Sequence, residues 1–184
     1  KDHMNIQDLL TVLHLLEPYI TRPNKWCVDV GHTITGGVEY PANIYSSYET
    51  LPAGTVDKPQ NLDLVNWVLN QDFVYNPSEG GYGNYTYGDV QRAIWQLIDN
   101  TQSTSGLGTW DPNRVTEIVN AALANGEGYR PGCGDYVAVI IKPQGTSIVQ
   151  TVTIARLYLD CASNNKITAT FNNATFEDVE PITW

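Results

Sequence analysis

Apolar residues change their spacing twice along this chain. Near the start, "QDLLTVLHLL" (7–16) predicts a helix that ends before Pro18, with apolar residues nearly all round it. Short extended pieces follow around 25–30 and 37–49. "GHTITGG" separates them, and its paired glycines predict a turn. The spacing then becomes helical. "QNLDLVNWVLNQ" (60–71) sets Leu62, Val65, Trp67 and Leu69 at mixed helical intervals, with Asn61 or Asp63 available as a cap. Residues 75–88 read as a Gly/Tyr/Asn loop. Asp89 is then placed to cap "VQRAIWQLIDN", where Val90, Ile94, Leu97 and Ile98 form the apolar face and Gln91 and Trp95 flank it. A third helix is predicted in "DPNRVTEIVNAALANG", with Asp111 as N-cap, Pro112 in the first turn and Gly126 at the end. From residue 135 the period returns to two, and 135–142, 147–159 and 166–171 read as strands.

The order is strands (25–49), a helical insertion (about 60–126), then strands (135–171). This predicts an α+β fold with a β-sandwich or barrel-like core and an inserted helical subdomain, rather than alternating βαβ units. The opening "KDHM" (1–4) reads as an expression-tag remnant, and 5–184 as a single domain, a size that can bury its own core. No apolar run is long enough to span a bilayer as a helix.

Charge narrows the partners. Twenty acids against ten bases give a formal charge of −10, which argues against a nucleic-acid or anionic-membrane partner. Charged residues make up only 16% of a chain rich in Tyr, Thr, Asn and Gly, a balance common in extracellular β-rich modules. The histidines at 3 and 14 have no ligand spacing, so no metal or cofactor is expected. Three cysteines, Cys27, Cys133 and Cys161, leave one over. Cys133 and Cys161 each lie beside turn residues and a predicted strand. They can bridge in an extracellular domain, with three reduced cysteines as the alternative.

Alternation in "WCVDV" puts Trp26, Val28 and Val30 on one face of a strand, with Cys27 and Asp29 on the other. An acid is a poor neighbour for a thiolate, which counts against an activated nucleophile but leaves Asp29 available as a proton shuttle. In the strand from Ser147, Gln150 shares a face with Ile148, Val152 and Ile154. Burying an amide without partners costs roughly 2–7 kcal/mol, so Gln150 must be hydrogen-bonded, at an edge, or chemically altered. Either of the first two is the ordinary outcome, as quiet packing is for Cys27. Tyrosines at 75, 82, 85 and 87 read either as an adhesive surface or as packing over the helices. The sequons at Asn84 and Asn173 are short enough to arise by chance.

Three short motifs in order resemble those of the thioester domains of Gram-positive surface adhesins. Trp26-Cys27-Val28-Asp29 matches an aromatic-Cys-hydrophobic-acid motif. Val90-Gln91-Arg92-Ala93-Ile94-Trp95 is similar to a helical TQ…W motif, with Val90 in the threonine position. Val149-Gln150-Thr151-Val152-Thr153-Ile154 resembles a hydrophobic-Gln motif, with Thr153 a departure from it. The likeness runs over about 24–159, and neither "LLTVLHLLEPYI" nor the tail after Leu159 takes part in it.

The resemblance implies an internal thioester between Cys27 and Gln150, with Gln91 as the rival partner. It further implies that Asp29, Gln91, Trp95 and Trp26 shape and orient the site, with Trp95 as a lid. The implied function is a cell-surface, cell-wall-anchored adhesin domain. It would be a monomer that reacts once with an amine, a lysine above all, on a host, matrix or neighbouring surface molecule. Two other readings stand beside it. One is a non-covalent binding module of the same fold. The other is a cysteine hydrolase using Cys27 with His32, which lacks a third member at recognisable spacing.

Overall fold

The computed structural model describes residues 25–31, 42–144, 153–158, 168–171 and 174–177. The predicted helix at 7–16, and His32, Gln150, Cys161 and Asn173, lie outside them. The elements in chain order are β1 (Lys25–Cys27), β2 (Ala42–Ser46), a 3-10 turn (Pro59–Asn61), α1 (Leu62–Leu69), α2 (Tyr87–Ile98), α3 (Pro112–Asn125), β3 (Tyr136–Pro143), β4 (Thr153–Tyr158), β5 (Thr168–Phe171) and β6 (Ala174–Glu177). Strands, helices and strands thus follow one another as an α+β chain.

β1, β4, β3 and β2 form an antiparallel sheet in that order, so β1 and β2 lie at its edges. Cys27 stands opposite Thr153, and Ile140 lies between Ile154 and Tyr45. β5 and β6 make a separate antiparallel ladder, and β6 falls where the sequence reading has no element. Along β3 the burial does not simply alternate. Ala138 and Ile140 enter the core under the helices, while Val137 and Ile141, which point to the other face, are buried as well. That core combines Trp26 from β1 and Val28 just beyond it with Leu64, Val65, Val68, Ile94, Ile98, Val115 and Ile118 from the three helices.

Caps decide the helix ends. In α3 the Asp111 carboxylate accepts from the N–H groups of Asn113 and Arg114, and Gly126 closes the helix, as the sequence predicts. α2 corrects the prediction. Its N-cap is Thr86 rather than Asp89, and Asp89 is the third helical residue of a capping box. The reason lies in Asp89's other partners. Fully buried, its carboxylate accepts from the Thr86 and Asp111 N–H groups and from Arg114 Nε at 2.6 Å, locking the starts of α2 and α3 together. Gly88 follows from the same crowding. A Cβ there would lie 2.8 Å from the Thr109 carbonyl and 2.9 Å from that of Leu107. The loop leading to α3 is gripped by Arg92, which donates to the carbonyls of Ser103, Ser105 and Gly106 and lies over the Trp110 ring at 4.5 Å.

β2 ends opposite Val139, so among the described residues the start of β3 has no strand on that side. α1 fills the gap with two carboxamides one helical turn apart. Asn66 Oδ1 accepts from Ala138 N, while Asn70 accepts from Tyr136 N and donates to Tyr136 O, both at 2.8 Å.

Candidate functional site

β1 is only three residues long, and the chain bends away at Val28. The strand predicted to Val30 is therefore cut short, although Trp26 and Val28 do turn into the core. β1's inner edge is taken by β4 and its outer edge by α2. Gln91 Oε1 accepts from Cys27 N and Gln91 Nε2 donates to Cys27 O, both at 2.7 Å. A residue that turns both peptide groups outward is the non-hydrogen-bonded member of its ladder, where facing side chains come closest. Gln91 thus acts as a fragment of an additional strand. The helical wheel places it beside the apolar face, yet it has no exposed surface.

The contact with Gln91 belongs to a row. Tyr87, Gln91, Trp95 and Asp99 recur at four-residue intervals, so they line one face of α2 and its C-cap. Tyr87 stacks on Trp26 with ring centroids 4.5 Å apart and planes at 12°. Asp99 accepts from Val30 N at 2.8 Å and from Thr101 N at 2.7 Å. Trp95, between them, is 6% exposed, and its indole N–H is buried without a hydrogen-bond partner, as is that of Trp26. Asp29 turns its carboxylate onto the Gly31 N–H at 2.6 Å.

Cys27 itself is half-buried and outside any disulfide, whereas Cys133 is disulfide-bonded. Burial pushes the Tyr87 phenol up to about 12, and the Cys27 sulfur adds to the rise. Tyr87 is the site residue that the sequence reading places in a loop. The signal that could have found it is Thr86 three residues before Asp89, which starts the helix one residue ahead of the tyrosine. The structure also divides the tyrosines. Tyr75 and Tyr82 are exposed, Tyr85 is buried, and Tyr87 belongs to the site. Among the described residues, no cluster of His, Cys, Asp or Glu could hold a metal, and no helix is long and apolar enough to cross a membrane.

The thioester domain family matches residues 25–127, more than half of the chain, from β1 through the end of α3. This chain belongs to that family. Among solved structures it is similar to the N-terminal thioester domain of a surface protein from Clostridium perfringens, with 17% identity, a TM-score of 0.38, and coverage of 71% of this chain and 78% of that one. Comparison with curated proteins returns no match. The matched span takes in Cys27, Gln91 and Trp95.

Proposed function

We propose that this thioester domain is an extracellular adhesin module in which Cys27 Sγ is acylated by the side chain of Gln150. The observation that carries the reading is the fastening of Cys27 inside a family-matched segment. Both its peptide groups are held by a fully buried glutamine, and its ladder partner Thr153 lies three residues beyond Gln150. Rigid placement of a sulfur beside a strand that follows closely on the acyl donor is what an otherwise sluggish acyl exchange needs.

In the forming step the sulfur adds to the Gln150 carboxamide carbon, the C–N bond breaks, and ammonia leaves with the thiol proton. In the spending step an amine, a lysine side chain above all, attacks the same carbon. The C–S bond breaks, the sulfur departs with the electron pair and takes up a proton, and an amide remains. The event happens once, which makes the domain a covalent anchor rather than a turnover enzyme. Gln91 orients the site through the Cys27 backbone, Asp99 and Asp29 brace the bend behind it, and Trp26 and Trp95 close it from the core side. Because Gln91 already spends its carboxamide on Cys27, Gln150 is preferred over it as the acyl donor. A sandwich or barrel-like core belongs to the same reading, supported by the burial of both faces of β3. A bridge from Cys133 to Cys161 and anchorage of the parent protein to the cell wall complete it.

Intact-protein mass tests the reading. The untreated domain should be lighter than its sequence by one ammonia, the deficit should vanish in Cys27→Ala and Gln150→Ala, and methylamine should add at Gln150. A full-weight protein that ignores methylamine would leave only a non-covalent binding module.

A further inference from the structure

The hairpin between α1 and α2 holds two exposed rings that the reading above leaves without a task. Pro77 pairs with Asn84 across it, and Ser78 folds its tip by donating to Gly83 O and accepting from Tyr82 N. Helix α3 fastens that tip. Arg114 donates to Tyr82 O at 2.8 Å, and Glu117 accepts from Gly80 N at 2.6 Å and from the Tyr85 hydroxyl at 2.8 Å. These bonds use the main chain and the buried Tyr85, while the side chains of Tyr75 and Tyr82 stay 72% and 45% exposed. Tyr75 also keeps a left-handed φ of 74°, a costly conformation for a bulky residue that burial does not offset here.

Gly80 shows what meets at the tip. A Cβ there would strike both the Glu117 carboxylate and the edge of the Tyr82 ring, so glycine leaves an acid and an exposed aromatic as near neighbours. Exposed Glu79 precedes it in the chain. Arg114 already faces the Asp89 carboxylate, and among the described residues no Lys or Arg pairs with Glu79 or Glu117. A ring beside a carboxylate attracts a cation twice over, through the ring quadrupole and through charge. The formal charge of −10 steers cationic partners towards the domain as a whole.

We propose that Tyr82, with Glu79 and Glu117, is a non-covalent docking point for a lysine or arginine side chain of the target polypeptide. The inference rests on the adhesin reading above for the source of that side chain, but the contact itself needs no thioester. A sugar can also stack on a tyrosine. Two carboxylates beside the ring, with no base among the described residues to match them, favour the cation instead.

The test is fluorescence anisotropy of a labelled oligolysine peptide with protein treated to completion with methylamine, in which no acyl group is left to transfer. Tyr82→Leu leaves the net charge and the main-chain bonds of the hairpin in place, so general attraction to an acidic domain cannot imitate its effect. It should weaken binding about threefold to fivefold. An unchanged affinity, or no measurable binding by the parent, overturns the proposal. Glu79→Gln should weaken binding about threefold, and more than Glu127→Gln, the same change at an exposed acid beyond the end of α3. Equal losses in the two overturn it. Maltoheptaose serves as the uncharged probe. If that sugar binds in a Tyr82-dependent way while oligolysine ignores Tyr82→Leu, the hairpin is a sugar platform and the proposal falls. An untreated protein with no ammonia deficit overturns the thioester instead, and the oligolysine affinities still decide the docking point.

Discussion

Gln91 and Cys27 exchange two hydrogen bonds of 2.7 Å, side-chain amide to main-chain peptide, as neighbouring strands would. Asn70 does the same for Tyr136 at 2.8 Å. The device is therefore used twice, once beside the cysteine and once at the start of β3. The second copy is an internal control for the first.

Replacing Gln91 by Ala removes a fully buried side chain and strips both partners from a half-buried peptide. Unfolding in urea should show a loss of about 2–4 kcal/mol. Asn70→Ala should cost about 2–3 kcal/mol on the same grounds. The two variants should part company in the mass spectrometer. Asn70→Ala should keep the full ammonia deficit, while Gln91→Ala should form it slowly or incompletely.

At Trp95 an indole N–H is buried with nothing to accept it. Trp95→Phe discards that donor along with some packing volume, and the two changes oppose each other. Its unfolding free energy should stay within about 1 kcal/mol of the parent. Faster hydrolysis of the thioester in this variant, read by mass over time, would mark the indole as the cover of the site, and an unaltered rate would make it core packing alone.

Arg114 is the cation that faces the fully buried Asp89 carboxylate. Arg114→Met keeps the length of the side chain but leaves that carboxylate without its counter-charge. A loss of about 3–5 kcal/mol is expected in chemical denaturation. Asp89→Ala should be comparably damaging, because it also removes the partner of the Thr86 and Asp111 N–H groups.

Tyr48, Tyr85 and Tyr87 each have a phenol raised to about 12 from 10.0, with burial the largest cause in every case. Such a group ionises first in the unfolded chain, so its contribution is fully present below pH 10 and fades as pH climbs towards 12. The urea midpoint should accordingly fall across that interval. Tyr87→Phe should make the fall shallower, and near-ultraviolet phenolate absorbance should show one late-titrating tyrosine fewer in the variant than in the parent.

Much of this arrangement is legible from local chemistry. Asp111, Pro112 and Gly126 mark α3 because caps act within one turn, and the largely β-branched run from Val137 to Ile141 marks β3. What escapes is whatever depends on a distant partner. Asp89 has the composition of an N-cap, and only the approach of Arg114, 25 residues away, explains its burial at the third position. Gln91 sits at the margin of an apolar face on a wheel, but the edge of β1 lies over it, 64 residues removed. Asn66 and Asn70 stand one turn apart among apolar residues. That spacing hints at a shared task without saying which strand they serve.

The order of strands has a mechanical side. Were an amine joined at Gln150 as proposed, tension on it would enter the chain three residues before β4, which has β1 on one flank and β3 on the other. A tug there is resisted by two ladders at once, whereas the same tug on the sulfur's own strand would meet one ladder and a single glutamine. On the proposed linkage, an adduct on the acyl side would put the traction on the better-moored of the two strands.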